Sequence, residues 1–378
     1  MATNHENNID GVRTWVQVSK VALKHNHKVF RNAIAPHVKL MAVAKSNAYG
    51  HDMTQFALFQ QELGVDWVGV DSIVEAVTLR EAGVTVPMLV LGYTLPARVP
   101  DAVLKNVSIT VSSMDALQAL CVADFKGELN IHLKIDTGMG RQGVAPEEVA
   151  VALEIIMGDD RFVLEGVYTH FSSAKNPHLK GTTEKQLALF NVARAHILTS
   201  GTIPLFHSAA TGGTLLFPES HFDMVRIGIG LYGLWPASAV RAFCEDKMQL
   251  KPALSWKTRL SEVKIIKDGE GVGYDLTERA HSDTKIGICP VGYWHGYARA
   301  YSGVAPVVIN GKRARVMGRV SMDMIAINLN NVPSAKMGDE VELLGETVSA
   351  EHLAGISDTI NYEVVTRINP LMRRVYVE

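Results

Sequence analysis

The sequence predicts an α/β protein: a (β/α)8 TIM barrel over residues 12–240, then a mostly-β domain over residues 241–378, with the first ~11 residues joining the β domain or disordered. Three observations carry this. Eight short apolar segments alternate with helical patterns over about 220 residues. Most of them are apolar on both faces, as parallel strands covered by helices must be. Past residues 239–251 the rhythm changes to strand-like runs at short spacing. A doubly wound open sheet also satisfies the alternation, but eight strand–helix units fit a closed barrel better.

In chain order, barrel strands are expected at residues 38–44, 67–70, 88–92, 108–111, 130–135, 164–169, 204–207 and 224–229. Between them, Ser113 can cap a helix whose Leu117, Leu120 and Cys121 share one face. Pro146 suits a first helical turn, Val149, Ala152, Leu153 and Ile156 follow at helical spacing, and Gly158 can end the helix. Residues 184–198 form a long helical stretch with Leu187, Phe190 and Ile197 on one side. In the second domain strands are expected at 254–266, 284–291, 307–316, 324–329 and 340–344, with one short helix near 350–356. Asn310-Gly311, inside "VVINGKRARV", signals a tight hairpin turn.

A net charge of −2 offers no basic field for nucleic acid and no polybasic membrane patch. Cys121, Cys244 and Cys289 are too few and too scattered for a disulfide framework or a zinc site. His25 and His27 face apart on a helix, and neither H-E-x-x-H nor C-x-x-C occurs, so no metal is expected. "MATNHENNID" lacks an apolar signal core, and no apolar run approaches membrane-spanning length. A soluble, cytoplasmic protein is expected.

A barrel of this kind places its site at the carboxyl ends of its strands. There the sequence sets Lys45, then "IHLKIDTGMGR" with Lys134, Asp136 and Arg141, "YTHFSS" with His170, "HSAATGG" with His207 and Ser208, and Arg226 running into "GIGLYG". An unperturbed lysine amine is almost wholly charged at pH 7, but burial makes it a nucleophile toward carbonyls, able to form a Schiff base. The bland alternative is a lysine in a structural ion pair. Two stretches match G-x-G-x-x-G, at Gly228-Gly230-Gly233 and at Gly138-Gly140-Gly143. Neither suits a dinucleotide fold, since Pro236 interrupts any helix after the first. Ser208 with the N–H groups of Gly228 and Ile229 can instead cradle a phosphate after the last two strands. Lysine plus phosphate cradle leaves two readings: a sugar-phosphate aldolase, or an enzyme whose lysine holds pyridoxal phosphate.

"AVAKSNAYGHD" resembles the cofactor-lysine signature of alanine racemases, usually written with Ala where Ser46 stands. "HLKIDTGMGRQGV", "GVYTHFSSA", "HSAAT", "DMVRIGIGLYG", "GVGYD", "VGYWHGY", "MGRVSMDM" and "TINYEV" follow in that family's order and spacing over nearly the whole chain. The resemblance implies a pyridoxal 5'-phosphate enzyme, a head-to-tail homodimer, that interconverts L- and D-alanine by two bases and supplies D-alanine for cell walls. It implies that Lys45 binds the cofactor and is one base, and that Tyr274, supplied by the partner subunit, is the other. Tyr49, Ser208, Gly228 and Ile229 match phosphate contacts, Arg226 the group at the pyridine nitrogen, and His170 a residue beside the ring. Arg141, Met322 and Asp323 match substrate contacts, Tyr293 the entrance, and Lys134 a residue often carbamylated that orients Arg141.

Racemisation needs a proton removed from one face of the α-carbon and delivered to the other, so a base on each side is the minimal machine. A guanidinium keeps its proton, so Arg226 would hydrogen-bond the ring nitrogen without protonating it. Related barrel decarboxylases place a carboxylate there. Departures from the family pattern are His207 where Asn is common, Trp294-His295 within the entrance motif, Ser321 for a frequent Cys, and Asn369-Pro370 about where some members carry a phosphate-contacting tyrosine. They bear on substrate size and cofactor affinity. The alternatives are therefore a racemase of serine or a broader set of amino acids, a related decarboxylase, or a cofactor-binding protein without turnover.

Overall fold

The structure, a computed structural model, describes residues 9–378. Residues 1–8, part of the segment expected to join the β domain or be disordered, lie outside it. The chain forms two compact units, one of residues 24–48 and 53–251, the other of residues up to 23, 49–52 and 252–378.

In the first unit eight strands, all parallel, run Lys39–Val43, Trp67–Val70, Met88–Val90, Ser108–Val111, Leu129–Lys134, Phe162–Tyr168, Leu205–His207 and Met224–Ile227. Each pairs with the next through the seventh, and the eighth pairs with the first. The seventh and eighth are joined by Asp223 N–H to Phe206 C=O at 3.0 Å, Arg226 N–H to Ala209 C=O at 2.9 Å and a parallel bridge between Ala210 and Arg226. That closes the barrel and removes the doubly wound alternative, whose outer strands stay apart. The eighth strand stops at Ile227 rather than at residue 229, because the chain turns at Gly228–Ile229, where Leu231 and Tyr232 N–H groups bond back to their carbonyls. The Ser113 hydroxyl caps helix Met114–Cys121 by accepting from Ala116 N–H at 3.1 Å. Pro146 starts a single tight turn that leads into helix Val149–Met157.

The inner faces of the strands meet in a cluster of Met41, Trp67, Leu89 and Met224. His132 meets the Trp67 ring edge-on at 5.3 Å, and His207 stacks on Tyr168 at 4.7 Å. Both histidines are fully buried.

After the first strand, Ser46, Asn47, Ala48 and Tyr49 have φ of 56°, 54°, 51° and 52°, a left-handed turn with no glycine in it. Such a conformation costs an L-residue roughly 1–2 kcal/mol. Ala48 N–H closes the turn on Ala44 C=O at 2.8 Å. Glu75 accepts the Ser46 N–H at 2.9 Å, and the Asn47 side chain accepts the Met53 N–H at 3.0 Å.

The second unit is built on a nine-stranded sheet. Thr14–Ser19 lies inside it, antiparallel to Leu254–Arg259 and parallel to Arg374–Val377. This corrects the barrel boundary at residue 12: Trp15, Val16 and Val18 are fully buried and find pairing partners on both edges here. The run expected as one strand over 254–266 divides into Leu254–Arg259 and Glu262–Ile266. Asn310 and Gly311, with φ of 50° and 72°, make the expected tight turn between Pro306–Ile309 and Lys312–Met317. Helix Ala350–Ile356 is joined by a second, Asn361–Thr366, which no strong cap signal announces. No helix among the described residues is long and apolar enough to cross a membrane.

Two predictions follow from these elements' chemistry. Burial holds the His132 and His207 imidazoles below their ordinary range, against the pull of Glu165 on His132. Below about pH 6.5 the unfolded chain therefore binds protons that the folded chain refuses, so stability falls as pH drops through that value. The urea midpoint should be lower at about pH 5 than at pH 7.5, and equal midpoints would contradict it. Ser46→Gly should raise unfolding free energy by up to about 1 kcal/mol in urea titrations, because glycine adopts positive φ without a Cβ clash.

Candidate active site

Arg226 lies in the eighth strand, 3 % exposed, with no carboxylate of the described residues against it. Its Nη2 donates to Thr169 C=O at 2.8 Å and Ser208 C=O at 3.0 Å, and meets His170 Nδ1 at 3.3 Å. Its Nη1 donates to His207 Nδ1 at 2.9 Å. Burial pulls the guanidinium down to about 10, so it stays charged at neutral pH. His170 is pushed down to about 3, first by burial and then by the Arg226 and Arg141 charges, so it is neutral.

The two glycine motifs have opposite fates. Around Gly138 and Gly140 the backbone wraps the Asp136 carboxylate, which accepts N–H bonds from Gly138, Met139, Gly140 and Arg141 at 2.8–3.2 Å. Burial alone would raise that carboxyl, but the four N–H groups hold it below its ordinary value. Gly228 and Ile229, by contrast, are buried, yet their N–H groups donate to no acceptor among the described residues. Buried N–H groups are rarely left so. An anion would complete them, and two adjacent buried N–H donors fit a phosphate.

The expected third phosphate contact is corrected. The Ser208 hydroxyl is fully buried and donates to Ser220 C=O at 2.8 Å. Thr211 instead opens helix Thr211–Leu216, is 4 % exposed, and its hydroxyl bonds to no described residue. The sequence signal that finds it is a hydroxyl residue directly before Gly212-Gly213 at a helix start.

Lys45 ends the first strand's run as expected, but its amine is not buried: the side chain is 39 % exposed and Nζ lies 3.8 Å from Asp71 Oδ1. Lys134 is 4 % exposed and bonds Gln142 at 3.3 Å. Burial, then the Arg141 and Arg226 charges, lower its amine to about 8. Arg141 is exposed, and as two cations it and an unmodified Lys134 make no direct bond.

In the other unit, burial pushes the Tyr49 phenol up to about 12, and its ring lies 6.1 Å from that of Tyr362. Tyr274 follows Gly273, whose φ is 73°, and is 68 % exposed. Asp275 beside it pairs with Arg319 at 3.1 Å. Tyr293 and Met322 are exposed, as is Asp323. Their segments are tied together by Tyr293 N–H to Ser321 C=O and Trp294 N–H to Met322 C=O, both at 3.0 Å. The Met322 N–H itself bonds to no described residue. Two of the departures noted in the sequence meet: Asn369 Nδ2 donates to Trp294 C=O at 3.0 Å and Asn369 N–H to His295 C=O at 3.1 Å.

Comparison with known proteins now has a geometry to stand beside. The family model for the alanine racemase N-terminal domain matches residues 18–236, and that for the C-terminal domain matches residues 253–376. The chain is 37% identical over 379 residues to the alanine racemase of Symbiobacterium thermophilum, covering 97% of this chain and 98% of that protein. It is 35% identical to alanine racemase 2 of Oceanobacillus iheyensis, covering 96% and 93%. The solved alanine racemase of Clostridium difficile superposes with a TM-score of 0.92 at 32% identity, covering 97% and 96%. That of Bacillus anthracis, solved with bound L-Ala-P, gives 0.91 at 34%, covering 97% and 95%. Both family domains in order, relatives alike end to end and a shared fold agree with the arginine-centred barrel mouth, and the chain belongs to the alanine racemase family.

Proposed function

We propose that this chain interconverts L- and D-alanine using pyridoxal 5'-phosphate, as a homodimer in the cytoplasm. The observation that carries the cofactor is the pair of buried, unpartnered N–H groups at Gly228 and Ile229, directly after the buried donor Arg226. These would hold the phosphate, with Thr211 in place of Ser208 as the hydroxyl contact, and Tyr49 would be a further phosphate contact. Bound pyridoxal phosphate supplies an electron sink that acidifies the substrate Cα–H. Lys45 holds the cofactor and moves a proton at its Nζ, with Asp71 keeping the amine in place. Arg226 would donate a hydrogen bond to the ring nitrogen and keep its own proton, which would restrain the sink. His170, neutral, stays an acceptor for Arg226.

Tyr274 moves the proton on the opposite face. Its exposure, with that of Tyr293 and Met322, supports delivery into a second copy of the chain, because large exposed side chains bearing chemistry suit an interface. Arg141 binds the substrate carboxylate; the open Met322 N–H, delivered like Tyr274 into a second copy, donates to a carboxylate there, with Asp323 a further substrate-side contact and Tyr293 at the entrance. Lys134, lowered to about 8, is neutral in about one molecule in ten at pH 7, which favours carbamylation by CO2. Cys121, Cys244 and Cys289 are all unpaired, in keeping with a reducing compartment.

Lys45→Ala should abolish both the visible absorbance of bound cofactor and racemisation, while Tyr274→Phe should keep the absorbance and lose roughly 10²–10⁴-fold in kcat. A Lys45→Ala protein that racemises alanine without added amine refutes the assignment. Thr211→Val should weaken cofactor affinity by roughly tenfold in equilibrium dialysis, and Ser208→Ala should leave it unchanged while lowering stability by about 1–3 kcal/mol. The reverse pattern would restore Ser208 as the phosphate contact.

A further inference from the structure

Behind Arg226, on the side away from the barrel mouth, a chain of polar side chains runs through the barrel interior. Arg226 Nη1 meets His207 Nδ1 at 2.9 Å, His207 Nε2 meets His132 Nδ1 at 2.9 Å, and His132 Nε2 lies 3.4 Å from Glu165 Oε2. Glu165 also accepts the Ser108 hydroxyl. Both imidazoles are fully buried, and the Glu165 side chain is 28 % exposed.

The direction of every bond follows from the arginine. A guanidinium only donates, so His207 Nδ1 must accept. A neutral His207 then carries its proton on Nε2 and donates to His132 Nδ1. His132 in turn carries its proton on Nε2, facing Glu165. That last contact is loose, yet the nitrogen has no other partner among the described residues. Burial holds both imidazoles below their ordinary range, which keeps them neutral. One arrangement of protons remains, with a cation at one end and a carboxylate at the other.

We propose that Glu165, acting through His132 and His207, is a positioning residue that orients the Arg226 guanidinium and tempers its positive character toward the group it contacts. The proposal rests on the cofactor reading above. Polarised chains of this kind strengthen each member's hydrogen bond, so removing the terminal anion weakens His207 as an acceptor and leaves Arg226 more cationic and less firmly aimed. A more cationic partner at the ring nitrogen makes a stronger electron sink. That diverts some turnovers to transamination, in which the substrate amino group passes to the cofactor and alanine leaves as its 2-oxo acid, pyruvate.

Glu165→Gln keeps size and an acceptor oxygen while removing the charge. With 15N-histidine labelling, the wild type with cofactor bound should show His132 and His207 as neutral Nε2–H tautomers, and the variant should move both N–H resonances upfield. The variant should lose roughly tenfold in kcat for alanine with KM changed less than about twofold, and release more pyruvate per racemisation. Glu165→Asp should recover part of each effect. A protonated or Nδ1–H imidazole at either position in the wild type overturns the relay, as does a Glu165→Gln enzyme equal to wild type in resonances and pyruvate yield. A failure of the cofactor reading is distinguishable: the wild type would then form no alanine racemase activity while the tautomers, read without cofactor, still test the chain. A variant that does not fold is replaced by Ser108→Ala, which removes a donor to Glu165 and should shift the same resonances by a smaller amount.

Discussion

A buried guanidinium must be solvated by the protein or it will not stay buried. Arg226 is solvated by two carbonyls and two imidazoles, not by an anion, and the Tyr168 ring lies 5.1 Å from its centre. Those acceptors come from the ends of the sixth and seventh strands, while the arginine belongs to the eighth. The same side chain therefore joins three strands at the place where the barrel closes, and it presents its remaining donor capacity to the site. Replacing it by a carboxylate would leave both histidines and both carbonyls facing a group that cannot donate.

The electrostatics of the mouth follow from that choice. Lys45, Lys134, Arg141 and Arg226 act on common neighbours: Arg141, Arg226 and Lys45 lower Lys134, and all four lower His170. Asp71 faces Lys45, and Asp136 is already engaged by four backbone N–H groups, so these two carboxylates leave the four cations in excess. A pocket of this sign draws anions, and a phosphate and a carboxylate are the two anionic groups the proposed chemistry brings. The left-handed turn at residues 46–48 begins directly after Lys45, at the end of the first strand's run. Strain of that kind survives only where neighbours over-determine it, as Glu75 and Asn47 do here.

Much of this was legible in the residues. The eight barrel strands follow from apolar runs of strand length, because a parallel strand buried on both faces has little freedom in composition. Lys45, Lys134, His170 and Arg226 stand out because charged or titratable groups at such strand ends are costly without a use. The resemblance to alanine racemases added Tyr49, Tyr274, Tyr293, Met322 and Asp323, which no periodicity distinguishes from surface residues. Thr14–Ser19 was misassigned because a buried strand reads alike whichever sheet receives it; its partners lie more than 230 residues away in Leu254–Arg259.

The sequence by itself determined the barrel strands, their order and the family resemblance, since hydrophobic spacing, turn residues and motif register are local properties of the chain. Only the tertiary structure decided which of two identical glycine patterns keeps its N–H groups open, because an aspartate two residues before Gly138 folds back onto one and no acceptor among the described residues meets the Gly228 and Ile229 N–H groups of the other. It likewise turned the Ser208 hydroxyl to a carbonyl twelve residues on and left Thr211 open. It aligned Glu165, His132, His207 and Arg226, from four strands or strand ends, into one line of hydrogen-bonding groups. Such alignments depend on the direction of individual side chains once the barrel has closed, and that direction is set by packing between residues remote in sequence.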